Sequence, residues 1–384
     1  MLYLGVLLLL LYCVYKYDIC GLVHYRKTWY TIILLILIGV AGFSYRLGGD
    51  NISYIREFAD YHINNGFELN ELISYTGRQP LWVLMTIICK SIINEYWFFR
   101  LVHSILLNTL FILALRRFSK YEFTTLLFYF VLLYFEFNFQ IMRQSIAIGL
   151  FLVSVSYFAN NKWLSYYIIN IISFLFHEAA IITFLVPLMK WIGISIKTIL
   201  IYFLFAIMGA MLGAKLLDLV YPILLQSFVA DKAYVYFSKE RDGNITLGLN
   251  ILLNVIIPYF FIIINIKKAN VKTVDYFIIV YGLLYSLGLG LPIIYRFSQF
   301  FQVFFYICYV EIFVLISSSV KRRFGLNRAF FYIILVLLFL TYRSRMYFSP
   351  YGDTNYPSYV QYYPYSSIFF EQRDPTREAL YRFM

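Results

Sequence analysis

The chain has 384 residues, 62% of them hydrophobic and 14% charged, with a mean hydropathy of +0.73. A soluble domain carries about 25% charged residues, so this composition excludes a soluble enzyme on a single anchor and predicts an all-α polytopic membrane protein. The net charge of +12 comes from 32 Lys and Arg against 20 Asp and Glu; its placement reads as membrane topology, and no nucleic-acid partner is expected.

Candidate apolar spans fall, in chain order, at 1–16, 29–46, 97–115, 121–138, 142–159, 163–176, 178–191, 197–214, 247–266, 273–291, 297–319 and 329–346, the pair 163–176 and 178–191 being short. The first run opens without a basic segment and lacks a small-residue cleavage site, so it reads as a spanning helix and not as a removed signal peptide. Basic residues gather in alternate loops: Lys16/Arg26/Lys27, Arg116/Arg117/Lys120, Lys162, Lys190/Lys197, Lys267/Lys268/Lys272 and Lys321/Arg322/Arg323/Arg328. These hold 16 of the 32 basic residues beside only Asp18, Glu122 and Asp275; the remainder of the chain holds 16 basic and 17 acidic residues. The positive-inside rule puts these loops in the cytoplasm. About twelve transmembrane helices with both termini outside satisfy that parity, provided that the short apolar stretch 81–94 is re-entrant or interfacial.

The map predicts one transmembrane domain over 1–346, with outer loops at 47–80 and 215–246. A polar tail over 347–384, rich in Tyr and Pro, lies on the outer face. In the first loop Asp50 or Asn51 can cap a helix whose apolar stripe is Ile52, Ile55, Phe58, Ala59 and Ile63, with Gly66 as its stop. Such a helix rests on the membrane surface. Cys13, Cys20, Cys89 and Cys308 show no metal spacing and read as packing residues.

Against this apolar background a few polar residues crowd the outer side. Arg46 ends a span and is followed by Gly48, Gly49 and Asp50, a setting in which backbone N–H groups can approach an anion. Alone, it also reads as an interfacial arginine whose stem lies along apolar surface. Arg143 starts a span with Gln140 and Gln144 on the same helical face, which suits a polar interior. His177 and Glu178 stand at the vertex of a short helical pair; a histidine there is a packed structural residue, a base or a donor to phosphate. Arg296 begins a further span, and Arg78 precedes the 81–94 stretch. Glu136 and Glu311 are open between an ion-pair role and a general-base role, while Lys90 and Arg100 are weaker candidates. Several arginines converging on one leaflet suit a diphosphate, which guanidinium groups bind bidentately. No DxD-type acidic cluster is visible, so no metal site and no cofactor are expected; guanidinium groups would stabilise a leaving diphosphate.

Four ordered motifs resemble those of the EpsG-like family of polysaccharide polymerases. Tyr45-Arg46-Leu47-Gly48-Gly49-Asp50 followed by Tyr54 is similar to its YR-x-G-x-D-x-x-x-Y stretch. Met142-Arg143-Gln144-Ser145-Ile146-Ala147 resembles its xRQ-x-[IL]-A helix start, Phe176-His177-Glu178-Ala179-Ala180 its FH-x-[SA]-A turn, and Tyr295-Arg296-Phe297 its xRF element. The family often places a glutamate where this chain has Gly77-Arg78-Gln79-Pro80. High Ile, Phe, Tyr and Asn content further resembles Wzy-type O-antigen polymerases.

The resemblance implies a GT-C-like glycosyltransferase in the bacterial inner membrane. It would join oligosaccharide repeat units carried on undecaprenyl diphosphate at the periplasmic face. Its partners would be the lipid-linked donor and acceptor, membrane lipids and a chain-length regulator protein. In that reading Arg46, Arg143, Arg296 and Arg78 bind the diphosphate, with Arg143 also stabilising the leaving group, and His177 or Asp50 orients or deprotonates the acceptor hydroxyl. A flippase for the same lipid-linked units, another membrane glycosyltransferase and a ligase are the rival readings. A transporter should show internal repeats and midplane charges, whereas here the polar residues gather at one face.

Overall fold

In hydrocarbon a backbone must satisfy its polar groups within its own segment, and this chain does so with helices. The computed structural model describes residues 1–61, 73, 76–225, 244–289, 291–325, 327–352, 354–371 and 373–382; the side chains at 212–225, 244–247, 292 and 293 are not described. Among these residues no strand forms, and only isolated bridges such as Ser44 to Ser367 occur. Six helical stretches among the described residues are long and apolar enough to cross a membrane: Leu2–Ile19, Tyr96–Phe118, Met142–Ala159, Gly248–Lys267, Gln302–Phe324 and Arg328–Tyr347. Shorter apolar helices accompany them at Pro80–Ile92, Glu122–Leu132, Trp163–Phe176, Ile196–Met211 and Thr273–Gly288. The chain is thus an all-α, multi-pass membrane protein, as its composition predicts.

The helices form two compact units, residues 1–178 with 313–384, and residues 179–312. The first unit contains α1 (Leu2–Cys13, continued by a π-helical turn to Ile19), α2 (Arg26–Gly42), α3 (Gly49–Asp60), α4 (Pro80–Ile92) and α5 (Tyr96–Phe118). These are followed by α6 (Glu122–Leu132), α7 (Tyr134–Phe139), α8 (Met142–Ala159) and α9 (Trp163–Phe176). Its core is α5, packed against α2 on one side and α8 on the other, with α9 covering α8 and α1 lying on α6. Phe99, Leu107, Phe111, Ile146, Phe151 and Tyr166 fill these contacts.

The second unit contains α10 (Val186–Ile192), α11 (Ile196–Leu225), α12 (Asn244–Ile251), α13 (Ile257–Lys267), α14 (Thr273–Gly288) and α15 (Pro292–Ser298), and the chain then enters α16 (Gln302–Phe324). Here Glu311 is an ion-pair residue, accepting two hydrogen bonds from Lys272 Nζ at 2.6 and 2.7 Å. The chain returns to the first unit within α16, at Phe313, and continues through α17 (Arg328–Ser344) to α18 (Pro375–Tyr381).

The boundaries differ from expectation where local chemistry interrupts hydropathy. The run 121–138 breaks at Leu133, whose backbone (φ −123°, ψ −31°) leaves helical geometry and re-aims α7. The run 178–191 divides into a 3₁₀ segment, Glu178–Leu185, and the short α10, because Pro187 cannot donate into a preceding turn and Gly193 ends the helix at positive φ. The α3 helix starts one residue before Asp50, with Gly48 as its cap, and ends at Asp60. The expected stripe residue Ile63, the stop at Gly66 and most of the loop 215–246 lie outside the described residues.

The tail packs on the end of α2. Tyr45 N–H donates to Ser366 O (2.9 Å), Ile368 N–H to Phe43 O (3.0 Å) and Gly48 N–H to Gln361 O (3.0 Å). Arg377, buried to 1% exposure, organises the tail internally by donating to Val360 O (3.1 Å), Ser366 Oγ (2.9 Å) and Pro364 O.

Candidate functional site

α3 is the scaffold of the site, and it is fixed at both ends. At its start Gln361 Oε1 from the tail accepts from Gly49 N–H (3.1 Å) and from Gln140 Nε2 (2.8 Å), filling the place of a side-chain cap. Gly48 is required here: its φ is +84°, and a Cβ would stand 2.4 Å from Phe139 O and 2.6 Å from Phe139 Cβ. At its end Lys90 Nζ donates to Phe58 O (2.6 Å) and Ala59 O (3.1 Å), a cation where the helix presents unpaired carbonyls. Tyr96 OH also donates to Asn51 Oδ1. Phe58 packs with Trp82, Phe99 and Ile146, so one face of α3 is buried while Asp50, Ser53, Arg56 and Asp60 stay exposed.

Arg143 occupies the first turn of α8. Its Nη1 donates to Gln79 Oε1 (2.7 Å) and its Nε lies 3.5 Å from Tyr54 Oη. Gln79 Nε2 in turn donates to Glu178 Oε2 (2.7 Å). A donor on one side of the Gln79 amide and an acceptor on the other fix its orientation. No carboxylate pairs directly with Arg143 among the described residues, so its charge stands at the positive end of a helix dipole without an anion. Burial pushes the Tyr54 phenol above its ordinary range, with the Arg143 charge opposing, so Tyr54 is protonated at neutral pH and can both accept and donate.

Arg78 comes to the other side of Tyr54. Its guanidinium stands over the Tyr54 ring, 5.9 Å from the centroid, and is held by Glu57 through Nε (3.0 Å) and Nη2 (2.9 Å). Glu57 also accepts from Trp82 Nε1 (3.3 Å) and from Tyr61 Oη (3.2 Å), which makes it the hub between α3 and α4. Arg78, Glu57, Ser53, Arg56, Asp60 and Tyr61 line a hollow of about 450 Å³. The structure therefore groups Arg143, Arg78, Tyr54, Gln79, Glu57 and Glu178.

The other expected residues are placed differently. Arg46, at positive φ in the turn before α3, forms a bidentate pair with Glu378 of the tail (2.8 and 2.7 Å). It lines a separate hollow of about 370 Å³ with Tyr45, Ile55, Tyr96, Trp97 and Glu371, which shares no residue with the Arg78 hollow. Asp50 is exposed in the first turn of α3, where a carboxylate suits the helix dipole. His177 is buried, ends α9 through its N–H to Ser173 O (3.0 Å), and immediately precedes Glu178. Arg296 lies on α15 in the second unit.

Two residues given little weight in the sequence position the site. Lys90 holds the end of α3 as described. Arg100, completely buried, donates to Asn138 O (2.6 Å), Ala41 O (2.8 Å) and Ser44 Oγ (2.7 Å), joining the ends of α2, α7 and α5. His103 Nε2 donates to Met142 O (3.0 Å), one residue before Arg143. Glu57 carried a readable signal: it stands four residues before Tyr61, on the polar edge of an amphipathic helix.

The sequence profile of the EpsG family matches residues 27–367, which is most of the chain. The same comparisons find no match among curated proteins or among solved structures. A profile match of this extent makes the chain a member of the EpsG family of polysaccharide polymerase-like membrane proteins.

Proposed function

We propose that this protein is a glycosyltransferase that polymerises O-antigen or exopolysaccharide from oligosaccharide repeat units carried on undecaprenyl diphosphate. The reaction would take place at the periplasmic face of the inner membrane. The observation that carries the reading is Arg143, a guanidinium at a helix N-terminus with no paired carboxylate among the described residues, grouped with Arg78 around Tyr54 in a family of polymerase-like membrane proteins.

In this reading the donor diphosphate takes the place of the missing anion, accepting from Arg143 and the start of α8, with Tyr54 Oη as a further donor. Arg78, steered by Glu57, faces the same ring and supplies a second positive charge. An acceptor hydroxyl oxygen attacks the anomeric carbon of the donor glycan. The bond from that carbon to the diphosphate oxygen breaks, and its electron pair leaves with the diphosphate, where guanidinium charge stabilises it. The hydroxyl proton passes to a base. His177 and Asp50 are the residues expected from sequence; Glu178 joins them because Gln79 ties its carboxylate to Arg143. Arg46 and Arg296 remain proposed contacts for the diphosphate or glycan, and a chain-length regulator a proposed partner.

The test is the glycan ladder from cells that lack the gene and are complemented with wild type, Arg143→Ala or Arg143→Lys. The reading expects loss of the ladder to a single-repeat band, restored by wild type alone. Absence of even the first repeat would move the protein to a flippase, ligase or early transferase, and an unchanged ladder would overturn the reading.

A further inference from the structure

The first unit has a second cluster of cationic side chains, which shares no residue with the site. Where α2 begins, α5 ends and α6 begins, a hollow of about 850 Å³ opens, lined by His24, Arg26, Lys27, Arg116, Lys120 and Glu122. Arg26 donates to Asp18 Oδ1 (3.3 Å) and Lys120 O (3.1 Å). The Glu122 carboxylate stands between two guanidinium groups, 3.6 Å from Arg26 Nε and 3.5 Å from Arg116 Nε. Both the Arg26 Nε and the Glu122 Oε2 are buried without a hydrogen bond. The other oxygen of Asp18, Oδ2, accepts from Thr124 N–H (2.7 Å) and Thr124 Oγ1 (2.9 Å). Four cationic side chains thus face two carboxylates, leaving two positive charges in excess. The α2 and α6 N-termini add positive dipole ends, against one negative end from the α5 C-terminus, where Arg116 stands.

The surroundings select the kind of anion. On the helices that form the hollow, Ile32 and Leu35 of α2 and Leu113 of α5 are exposed apolar residues, and Leu22 and Val23 at the rim are exposed as well. In a bilayer that surface meets acyl chains, so an anion carried on such chains reaches the charge without leaving the lipid phase. An amphiphile satisfies both the charge and the surface.

We propose that this hollow binds the phosphodiester headgroup of an anionic phospholipid, with the acyl chains lying along the exposed apolar flanks of α2 and α5. Arg26 and Arg116, already positioned by Glu122, present guanidinium edges to the phosphate. Lys27 and Lys120 add unfixed ammonium charge.

The experiment uses the full chain purified in a neutral detergent. Thermal unfolding and native mass spectrometry are followed on titration with phosphatidylglycerol, phosphatidylcholine or inorganic phosphate. The double variant Lys27→Gln/Lys120→Gln removes exposed charge and leaves the Arg26, Arg116 and Glu122 pairs intact. Lys162→Gln, at a basic loop outside the hollow, is the control. Phosphatidylglycerol is expected to stay bound and raise the unfolding temperature, and the double variant to bind it on the order of thirtyfold more weakly. High salt should reduce the wild-type effect, and Lys162→Gln should match wild type. Equal stabilisation by phosphatidylcholine, full reproduction by inorganic phosphate, or undiminished binding in the double variant would each overturn the proposal.

Discussion

Replacing Gly48 by alanine should uncouple the tail from the end of α2 and the start of α3. The added Cβ would meet Phe139 O at 2.4 Å and Phe139 Cβ at 2.6 Å, and both partners are rigidly placed in α7. Holding an L-residue at φ +84° costs about 1–3 kcal/mol. Relieving the clash by shifting a packed neighbour adds about 1–3 kcal/mol, so the variant loses roughly 2–6 kcal/mol. The strain is relieved when the turn moves, and that movement breaks the Gly48 to Gln361 and Tyr45 to Ser366 hydrogen bonds. Trypsin reports this directly, because the tail carries Arg373, Arg377 and Arg382. Where opening is fast relative to cleavage, a loss of about 2 kcal/mol should speed tail cleavage about thirtyfold, with a matching fall in the thermal midpoint. Gly39→Ala is the internal control: a Cβ there meets nothing within 4 Å in the interior of α2, and alanine should gain about 0.5–1 kcal/mol. Wild-type cleavage and melting in Gly48→Ala would refute the argument that Phe139 and the turn geometry exclude a side chain.

Other outcomes follow from the same geometry. Arg143→Ala should lower polymerisation at least about 10²-fold with normal membrane insertion, and Arg143→Lys should rescue it poorly because an ammonium cannot make paired contacts, as read from ladder length against protein level. Glu57→Gln should destabilise the unit by about 1–3 kcal/mol, since Arg78 loses its carboxylate while Trp82 and Tyr61 keep a weaker acceptor; the thermal midpoint measures it. Arg46 holds the Glu378 carboxyl below its ordinary value through their hydrogen bonds. A depressed carboxyl stabilises the docked tail fully above its unfolded value, about 4.3, and loses that contribution as pH falls through the lower folded value. An acid-stable protease should therefore release the tail faster only below about pH 4, and Glu378→Gln should flatten the dependence.

Helix content and the polar end were legible because they follow from short-range pattern. Apolar blocks predicted the long helices, and Gln140, Arg143 and Gln144 on one face marked the start of α8 as polar. Partner identity was not legible. Arg46 finds Glu378 at a separation of 332 residues, and Gly49 finds Gln361 at 312, so no periodicity could relate them. Gln140 shared a face with Arg143 in the sequence reading, yet it turns to Gln361 while Arg143 turns to Gln79, because the chain at Gln140 and Ile141 has not yet entered α8. Glu57 shows in the sequence only as a carboxylate on the polar edge of an amphipathic helix, where it reads as solvated; its role appears when Arg78 and Trp82 are brought over it. The break at Leu133 was hidden because its residues are as apolar as their neighbours.

The cap of α3 also sets an order of events during synthesis. The ribosome makes α3 early, but the amide that completes its first turn belongs to a residue 312 positions later. Until residue 361 has emerged, Gly48 and Gly49 have no tail partner and the Arg46 turn has no Glu378 to hold it. A nascent chain can therefore have its membrane helices in place while the arrangement around Tyr54 is still loose at one end. Any chain stopped before residue 358 should insert and accumulate yet stay inactive, so synthesis of the stretch from Gln361 to Glu378 acts as a built-in delay between insertion and competence.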